Sequence, residues 1–291
     1  MEPVPKRFIG LDIHKHYLVA YGVDADLNPV LGPRRVSYAE LERWIGSSLT
    51  KEDDLVIEMT TNTWKMRDLL LPHVHAVMVV HPPHVALIIR SQVMNDRIAA
   101  RILATLLAKG LLVGIWVPPE EVRDRRALIA QRSKIVRLAT QAKNRLHAIL
   151  HSKQIFPPDA NALFASVQRN WWLSLPVSLA ERTRIQCDLD TLEFAQKQLA
   201  LFETTTTQLA AQEEYLPLLL QLPGVSQLTA LTVLSAIGDI QRFPDAKHLV
   251  GYAGLGARVH DSGMTNRSGK ITKAGRRDLR TAMVEAAQIA A

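Results

Sequence analysis

The sequence predicts an α/β domain followed by mostly helical structure, the α/β plus α class. Up to residue 117, short apolar runs alternate with stretches of helical spacing, which is typical of an α/β domain. After Pro118-Pro119 the apolar positions fall three and four residues apart over long stretches, which is typical of amphipathic helices. With 291 residues, 47% of them hydrophobic, the chain is long enough for two or three domains, each with a core of its own.

The first predicted domain covers residues 7–117 and opens with a strand hairpin. Its first segment, RFIGLDIHKHYLVAYGV, contains two apolar runs separated by a polar turn. Gly110 is a suitable stop for the last helix of this domain. After the hairpin, apolar spacing predicts a helix at 38–49, a strand at 54–58, a helix at 63–71, a strand at 76–80, a helix at 96–110 and a strand at 111–116.

Two long helices are predicted between residues 118 and 215. Residues 120–152 contain no turn signals, and residues 181–210 show the same helical spacing, so each stretch forms one amphipathic helix. The connection between them, residues 154–176, is broken by prolines and carries Trp171-Trp172. The two helices can pair as an antiparallel hairpin within the chain or as a coiled coil between chains.

The last predicted domain, residues 216–291, is small and helical. Apolar residues up to about position 256 are followed by a polar basic loop and then by a helix from Lys273 to Ala291. The sequence LPGV at 222–225 resembles the entry of a helix-hairpin-helix, where a glycine turn offers backbone N–H groups to a phosphate. A simple Pro-Gly turn between two helices explains it equally well.

Positive charge is concentrated in two blocks. Lysine and arginine outnumber aspartate and glutamate by 9 to 3 in residues 118–153 and by 9 to 5 in residues 216–291, within a net charge of +7. Such blocks favour a polyanion such as nucleic acid as a partner, and solvated helix faces are the alternative. No apolar run is long enough to span a membrane and no signal-peptide pattern is present. The single Cys187 fits a reducing compartment, so a cytoplasmic protein without a membrane partner is expected.

Three acids lie where predicted strands end or a helix begins. Asp12 ends the first strand, Glu58 ends the third candidate strand, and Asp96 opens the helix that follows the strand at 76–80. A carboxylate at the end of a buried strand costs desolvation energy unless it is paired or bound to a metal. Three of them at one sheet edge form a hard oxygen site suited to Mg²⁺. Taken singly, each is better explained as a cap or a surface turn, and Asp96 as a normal helix start, whereas the three together favour the metal site.

The motifs resemble a known family. The segments FIGLDIHKHYLVAYGVD, VIEMT and VMNDRIAARILATLLAKG resemble the N-terminal domain of the DEDD insertion-sequence transposases, understood as bridge-RNA-guided serine recombinases with a RuvC-like, ribonuclease H-type domain. LPGVSQLTALTVLSAIGDIQRFPDAKHLVGYAGL and VHDSGMTNRSGKITKAGRRDLR resemble the C-terminal transposase domain of the same family. The likeness covers nearly the whole chain in the family's order.

The resemblance implies a division of labour along the chain. Residues 7–117 are expected to be a RuvC-like metal-binding domain, residues 118–215 a helical coiled-coil segment for assembly, and residues 216–291 a transposase domain with a serine nucleophile. Asp12, Glu58 and Asp96 would bind Mg²⁺, and Ser262 would attack DNA to form a covalent phosphoserine link. Ser268, which also precedes a glycine, is the competing candidate.

The implied partners are donor and target DNA, a structured guide RNA and further copies of the chain, as a dimer or a tetramer. The implied setting is the bacterial cytoplasm, with association to the nucleoid during action. Basic residues of both blocks are expected to contact nucleic acid. They are Arg123, Arg126, Lys134 and Arg137 in the first block and Arg258, Arg267, Lys270, Lys273, Arg276, Arg277 and Arg280 in the second.

One position departs from the family pattern. The family places Asp at the first and fourth positions of Asp-x-x-Asp-Ala, whereas this chain reads Asp96-Arg97-Ile98-Ala99-Ala100. Ala99 therefore replaces the fourth acid, through natural decay or deliberate replacement, and the intact remaining motifs favour replacement. We expect metal binding and activity of this chain to be impaired. The chain also stops at Ala291 within a predicted helix, so a C-terminal piece is expected to be missing.

Two other classes of protein remain as alternatives. A sugar-kinase or actin-like ATPase also begins with a segment like IGLDIHK, but it needs a second glycine-rich phosphate loop near mid-chain, and residues 118–215 contain no glycine. The other alternative is a non-catalytic binder of RNA or DNA that has kept the scaffold and lost the fourth acid.

Overall fold

The computed structural model describes residues 7–88, 95–262 and 265–291, and side chains outside 87–94 and 259–268. The chain forms two compact units, Met1–Val117 and Pro118–Ala291. In the described part of the chain, no helix is both long and apolar enough to cross a membrane.

The first unit is a five-stranded mixed sheet with helices on both faces. The strands follow the order β3-β2-β1-β4-β5; β2 is antiparallel to both β1 and β3, whereas β4 is parallel to both β1 and β5. The elements are β1 Arg7–Ile13, β2 Tyr17–Val23, β3 Pro29–Ser37, α1 Leu41–Ser48, β4 Asp53–Glu58, α2 Thr63–Leu70, β5 Ala76–Val80, α3 Pro82–Ile88 and α4 Asp96–Ala108.

Successive side chains of a strand point to opposite faces of the sheet, so the core of this unit has two layers. Ile9 and Leu11 of β1 face the layer that contains Trp44 of α1 and Met66 of α2. Val56 of β4 faces the opposite layer, which is formed with α4 and α3. Phe8, Gly10 and Asp12 alternate with Ile9 and Leu11, so Asp12 lies on the same side of the sheet as α4.

Gly10 sets the distance between α4 and the sheet. A Cβ atom at this position would lie 2.1 Å from the Ala100 carbonyl oxygen and 2.6 Å from the Ala104 nitrogen. The α4 backbone therefore rests directly on β1, and Ala100 and Ala104 are fully buried there. This close approach places the first turn of α4 beside the end of β1.

Two predictions for the first unit are wrong. The sequence analysis misses β3, whose polar PVLGPRRVS sequence with two prolines suits an edge strand and lacks an apolar run. Glu58 therefore ends the fourth strand rather than the third. Residues 111–116 do not form the expected strand, because the described pairing there is a single bridge between Val80 and Gly114. The other predicted strands and helices of this unit are confirmed to within a few residues.

The second unit is mainly helical. Its elements are α5 Glu120–Lys153, α6 Arg169–Ser174, α7 Leu179–Ala210, α8 Leu216–Leu219, α9 Gln227–Ile237, α10 Ala246–Ala253, β6 Ala257–Ser262, β7 Thr265–Ile271 and α11 Arg277–Ala290. The segments predicted as a separate assembly region and a separate C-terminal domain lie in this one compact unit.

The long helices α5 and α7 form an antiparallel hairpin within the chain. Ala142, Leu146 and Ile149 of α5 pack against Ile185 and Leu189 near the start of α7. Earlier residues of α5 meet later residues of α7, and Arg125 of α5 forms an ion pair with Glu213, three residues after α7 ends. The hairpin is closed by buried Trp172 in α6, whose indole donates to the Leu163 carbonyl at 2.9 Å. The intrachain pairing is thus the one that this chain adopts.

The segment around Ser262 is a strand hairpin rather than the predicted basic loop. Strands β6 and β7 pair antiparallel, from Ala257 with Ile271 to Ser262 with Thr265. The following helix starts at Arg277 instead of Lys273. Gly275 sits so close to α10 that a Cβ atom would lie 2.3 Å from the Tyr252 carbonyl oxygen, so the chain turns here before α11 can begin.

The glycine of LPGV has a packing role. Gly224 has a positive φ of 77°, and a Cβ atom there would lie 2.2 Å from the Ala286 carbonyl oxygen of α11. Helix α9 begins only at Gln227, where the Ser226 hydroxyl accepts from the Thr229 backbone N–H at 3.1 Å. A tight turn packed on α11 therefore accounts for this motif, as the simpler alternative expected.

Candidate metal centre and nucleic-acid interface

Asp12 and Glu58 lie side by side at one edge of the sheet. Strands β1 and β4 are parallel and Leu11 pairs with Ile57. The residue that follows each of these, Asp12 on β1 and Glu58 on β4, therefore lies beside the other. Burial raises the pKa of Asp12 above its ordinary 3.8; nearby His14 opposes the shift, and the charge of Asp96 adds to it. Burial, and then the charge of Asp12, raise the pKa of Glu58 above 4.5. The edge thus gathers negative charge where solvent is partly excluded.

Asp96 reaches the same edge from the first turn of α4. It is not the helix cap, because the Asn95 side chain takes that role and accepts from the Ile98 backbone N–H at 3.0 Å. The Asp96 carboxylate instead accepts from the Tyr17 hydroxyl at 2.9 Å. The predicted convergence of three acids therefore has a geometric basis in β1, β4 and α4, and the capping alternative for Asp96 does not hold.

A histidine lies between two of these acids. Nε2 of His14 is 3.2 Å from Oδ2 of Asp12 and 3.3 Å from Oδ2 of Asp96. One ligand atom from each of these three residues lies within 4.8 Å of the other two. Glu58 is not part of this group. The sequence analysis missed His14, although its place two residues after Asp12 in DIHKH puts both on one side of the extended chain.

The turn that carries His14 is anchored from several elements. The His14 carbonyl accepts from the Tyr38 hydroxyl and from the Asn62 side-chain amide, the latter at 3.3 Å. The His14 ring contacts the Tyr17 ring with centroids 4.7 Å apart. The Arg35 guanidinium of β3 lies 3.7 Å from the centroid of Tyr17 on that ring's face. The edge strand that the sequence analysis missed therefore supports the site.

The donor set fits a divalent cation. Carboxylate oxygens are the ligands that Mg²⁺ prefers, and an imidazole nitrogen widens the choice to first-row transition ions. Asp12, Asp96 and His14 are partly exposed, at 23%, 41% and 34% of their side-chain surface, so an ion can reach them from solvent. Ala99 lies one turn after Asp96 on α4 and offers only a methyl group, so the position of the fourth acid supplies no ligand.

The two predicted basic blocks meet in one groove of the second unit. Helices α5, α9 and α11 enclose a groove of about 680 Å³. Lys134 and Arg137 of the first block line it together with Arg276 and Arg277 of the second. Arg132 adds a further positive charge, and the acids in the lining are Asp278 and Glu285. Lys134, Arg137 and Arg277 are exposed.

Several other predicted nucleic-acid contacts are engaged in holding the second unit together. The Arg126 guanidinium donates to the carbonyls of Ser235 and Ala236 at 2.7 and 2.8 Å, at the C-terminal end of α9. Arg276 forms an ion pair with Asp278, with Nε 3.0 Å from Oδ1. Arg280 donates to the Ala253 carbonyl at 3.0 Å. Burial lowers the pKa of Arg126, and the neighbouring charge of Arg276 lowers it further.

The remaining predicted residues lie on or beside the β6–β7 hairpin. Ser262 ends β6, and it pairs with Thr265, the first residue of β7. Arg258 donates to the Thr272 carbonyl at 3.3 Å, and Lys270 and Lys273 are exposed. Arg123, on α5, is half-buried. The side chains of Ser262, Arg267 and Ser268 fall outside the described part. The acids belong to the first unit and Ser262 to the second.

Comparison with known proteins identifies the class to which this fold and site belong. A protein-family model of the IS110 DEDD type, described as "Transposase", matches residues 9–157, and the model described as "Transposase IS116/IS110/IS902 family" matches residues 216–291. The first match contains all three acids and the second contains Ser262. The chain belongs to the IS110-type DEDD transposase family.

Individual relatives are also similar over most of the chain. A putative transposase, y4qE, of Sinorhizobium fredii is 29% identical over 73% of this chain and 52% of its own length. The transposase for insertion sequence element IS1111A of Coxiella burnetii is 24% identical over 97% of this chain and 77% of its own. The pilin gene-inverting protein of Moraxella bovis is 27% identical over 96% and 81%. The chain thus spans about half the length of the first of these relatives.

Proposed function

We propose that this protein is an insertion-sequence recombinase that cuts and rejoins DNA with the help of a divalent cation. The observation that carries the proposal is the sheet edge at which Asp12 and Asp96 bring carboxylate oxygens together beside Glu58. Transposition and gene inversion, for which its relatives are named, both require DNA to be cut and rejoined.

In this proposal, Asp12, Glu58 and Asp96 hold Mg²⁺ at the sheet edge. When bound, the ion supplies Lewis-acid stabilisation of the charge that develops on a reacting phosphodiester. The three carboxylates position it and compensate its charge. The raised pKa values of Asp12 and Glu58 support this role, because buried, mutually repelling carboxylates gain most from a nearby cation.

Ser262 is the proposed nucleophile. Its hydroxyl oxygen forms a bond to phosphorus, the bond from phosphorus to the leaving deoxyribose oxygen breaks, and the serine proton passes to a base while the leaving oxygen gains one. The cut DNA end stays joined to the serine through a phosphodiester. This bond conserves the energy of the broken one, so rejoining needs no external energy source. In this proposal, Ser262 meets the DNA backbone at the end of β6.

The groove between α5, α9 and α11 is the proposed nucleic-acid contact of the second unit. Lys134, Arg137 and Arg277 are exposed there and supply positive charge for phosphates. In this proposal the protein grips backbone, whereas a structured guide RNA selects donor and target DNA by base pairing. The reaction takes place in the bacterial cytoplasm at the nucleoid.

A homo-oligomer, either a dimer or a tetramer, is proposed as the form that acts on DNA. Helix α7 carries exposed apolar side chains one heptad apart, Phe194 at 50% and Leu201 at 62% exposure, and exposed Cys187 lies one heptad before them. A solvent-facing apolar stripe of this period is typical of a coiled-coil contact between helices. This stripe supports pairing through α7 in addition to the intrachain hairpin.

Ala99 favours a second candidate function, that of a non-catalytic binder of RNA and DNA. With a methyl group at the position of the fourth acid, the site has fewer negative charges to hold a cation. In this view the chain keeps the basic groove and the assembly helices and performs no strand cleavage. The recombinase proposal predicts instead that the chemistry returns once the acid is restored.

A gel assay for a covalent protein–DNA adduct separates the two functions. Purified protein is incubated with Mg²⁺, the element's own RNA and donor DNA. The chain is compared with Ala99→Asp, with Ala99→Asp plus Ser262→Ala, and with the matched control Ala99→Asp plus Ser268→Ala. We expect an adduct with Ala99→Asp that disappears without Ser262 and persists without Ser268, and little or none with the unchanged chain.

Other outcomes redirect the assignment. An adduct that depends on Ser268 would show that Ser268, and not Ser262, is the nucleophile. If Ala99→Asp yields no adduct while RNA and DNA still bind, the recombinase assignment fails for this chain and the binder becomes the better description.

A further inference from the structure

His14 occupies the centre of the carboxylate edge, although the family's acidic motif does not include it. Its Nε2 atom alone faces both acids, at 3.2 Å from Asp12 and 3.3 Å from Asp96. The two distances are nearly equal, and the one to Asp12 is a hydrogen bond, so the same nitrogen lies within reach of both carboxylates.

These separations match those between ligands of a single ion. Ligand atoms about 2.1 Å from a cation lie roughly 3.0 Å apart in an octahedral shell and roughly 3.4 Å apart in a tetrahedral one. Both separations measured from Nε2 fall within that interval. The nitrogen therefore lies at the spacing of a neighbouring corner from each oxygen, and all three ligand atoms lie within 4.8 Å of one another.

The ring is also held in place before any ion arrives. Its backbone carbonyl is fixed by Tyr38 and Asn62, and its face contacts Tyr17. Tyr17 in turn donates to Asp96, so one aromatic residue orients both the imidazole and a carboxylate. Such supporting contacts around a ligating histidine are typical of metal sites.

We propose that Nε2 of His14 is a metal ligand and fills a coordination position in a site that lacks the fourth acid. The inference rests on the proposed divalent-ion site at Asp12 and Asp96 and adds a nitrogen to it. Because imidazole binds first-row transition ions better than it binds Mg²⁺, the site is selective for Mn²⁺ over Mg²⁺.

Binding of Mn²⁺ and Mg²⁺ to the full chain tests this assignment without requiring catalysis. Titration calorimetry compares the unchanged protein with His14→Ala, with Asp12→Asn and with the control His16→Ala, which removes an exposed imidazole from the same turn. We expect His14→Ala to weaken Mn²⁺ binding by about 10-fold to 100-fold and Mg²⁺ binding far less. We expect Asp12→Asn to weaken both and His16→Ala to change neither.

Pulsed electron paramagnetic resonance of bound Mn²⁺ provides a readout that does not depend on how the variants fold. A ¹⁴N coupling of the size expected for a directly bound imidazole, present in the unchanged protein and in His16→Ala and absent from His14→Ala, supports the proposal.

Two results would overturn the proposal in distinguishable ways. If Mn²⁺ binds without nitrogen coupling and His14→Ala binds it equally well or more tightly, His14 is a competing cation and the carboxylate site stands without it. If neither ion binds the unchanged protein and Asp12→Asn alters nothing, the proposed metal site itself fails, and the role of His14 fails with it.

Discussion

When no metal is bound, the charged carboxylates of Asp12 and Glu58 lower the free energy of unfolding at neutral pH. Burial raises the pKa of both side chains above their ordinary 3.8 and 4.5. The folded state then holds protons more tightly than the unfolded state, so the free energy of unfolding decreases as pH rises from the ordinary values through the raised ones. Below that window both states are protonated and the effect is absent.

Replacing Asp12 with a neutral isostere is therefore expected to stabilise the metal-free protein. Asp12→Asn should raise the melting temperature at neutral pH in the presence of EDTA, and the gain should disappear at pH values below the ordinary carboxyl pKa. Added divalent ions should stabilise the unchanged protein and leave the variant unaffected. Thermal melts across pH, with and without ion, measure both effects, and a lower melting temperature for the variant at neutral pH would contradict this account.

Single residues also show where sequence reasoning was sufficient. Each of the three acids could be placed because it ends a strand or opens a helix, which is a local property of the chain. Tyr17 could not, because its partner Asp96 lies 79 residues further on and the contact exists only once α4 rests on β1. His14 has one such distant partner, Asp96, but its place two residues after Asp12 was a local signal that could have been used.

Among the elements, α4 depends most on one contact with the sheet. Gly10→Ala places a Cβ atom 2.1 Å from the Ala100 carbonyl oxygen, which belongs to the backbone and cannot rotate away. We expect a loss of roughly 2–4 kcal/mol in unfolding free energy. Asp96 moves with α4, so divalent-ion binding should weaken as well. Urea denaturation and ion titration of one preparation measure the two quantities.

Gly46→Ala is the matched control for Gly10→Ala. Gly46 lies inside α1, and a Cβ atom there would meet nothing within 4 Å. Alanine is the better helix former, so this change should stabilise the protein by about 0.5–1 kcal/mol and leave ion binding unchanged. Equal losses in the two variants would mean that the close approach at Gly10 is not what holds α4.

The predictability of each element follows from its surroundings. Buried strands such as β5 and long amphipathic helices such as α5 and α7 carry a clear apolar period, and all three are confirmed. The edge strand β3 and the hairpin of β6 and β7 are polar, so nothing in their sequence separates them from loops. The apolar stretch at 111–116 has strand composition without a full partner strand, and composition alone predicted it wrongly.

At the scale of the whole molecule, the net charge of +7 does not say where on the surface the basic side chains lie; folding decides that. The two basic blocks could be predicted from composition. Their meeting in one groove could not, because it depends on how α9 packs between α5 and α11 and on Arg126, which holds the end of α9.

The groove predicts how salt affects nucleic-acid binding. Arg137→Gln and Arg277→Gln should each weaken DNA binding about equally for unrelated sequences and lower the dependence of log affinity on log salt by roughly 1. Arg184→Gln, at an exposed position of α7 outside the groove, is the control. Fluorescence anisotropy at several salt concentrations provides both quantities. Equal effects of all three changes would indicate general electrostatic attraction in place of a defined groove.

The contact at Gly10 also has a genetic consequence. Every base change in the first two positions of a glycine codon introduces a side chain or a stop codon, and the contact with Ala100 leaves no room even for a methyl group. Codon 10 therefore tolerates only third-position changes that still encode glycine. Most single-base substitutions at this codon would therefore damage the fold and displace Asp96 together with α4.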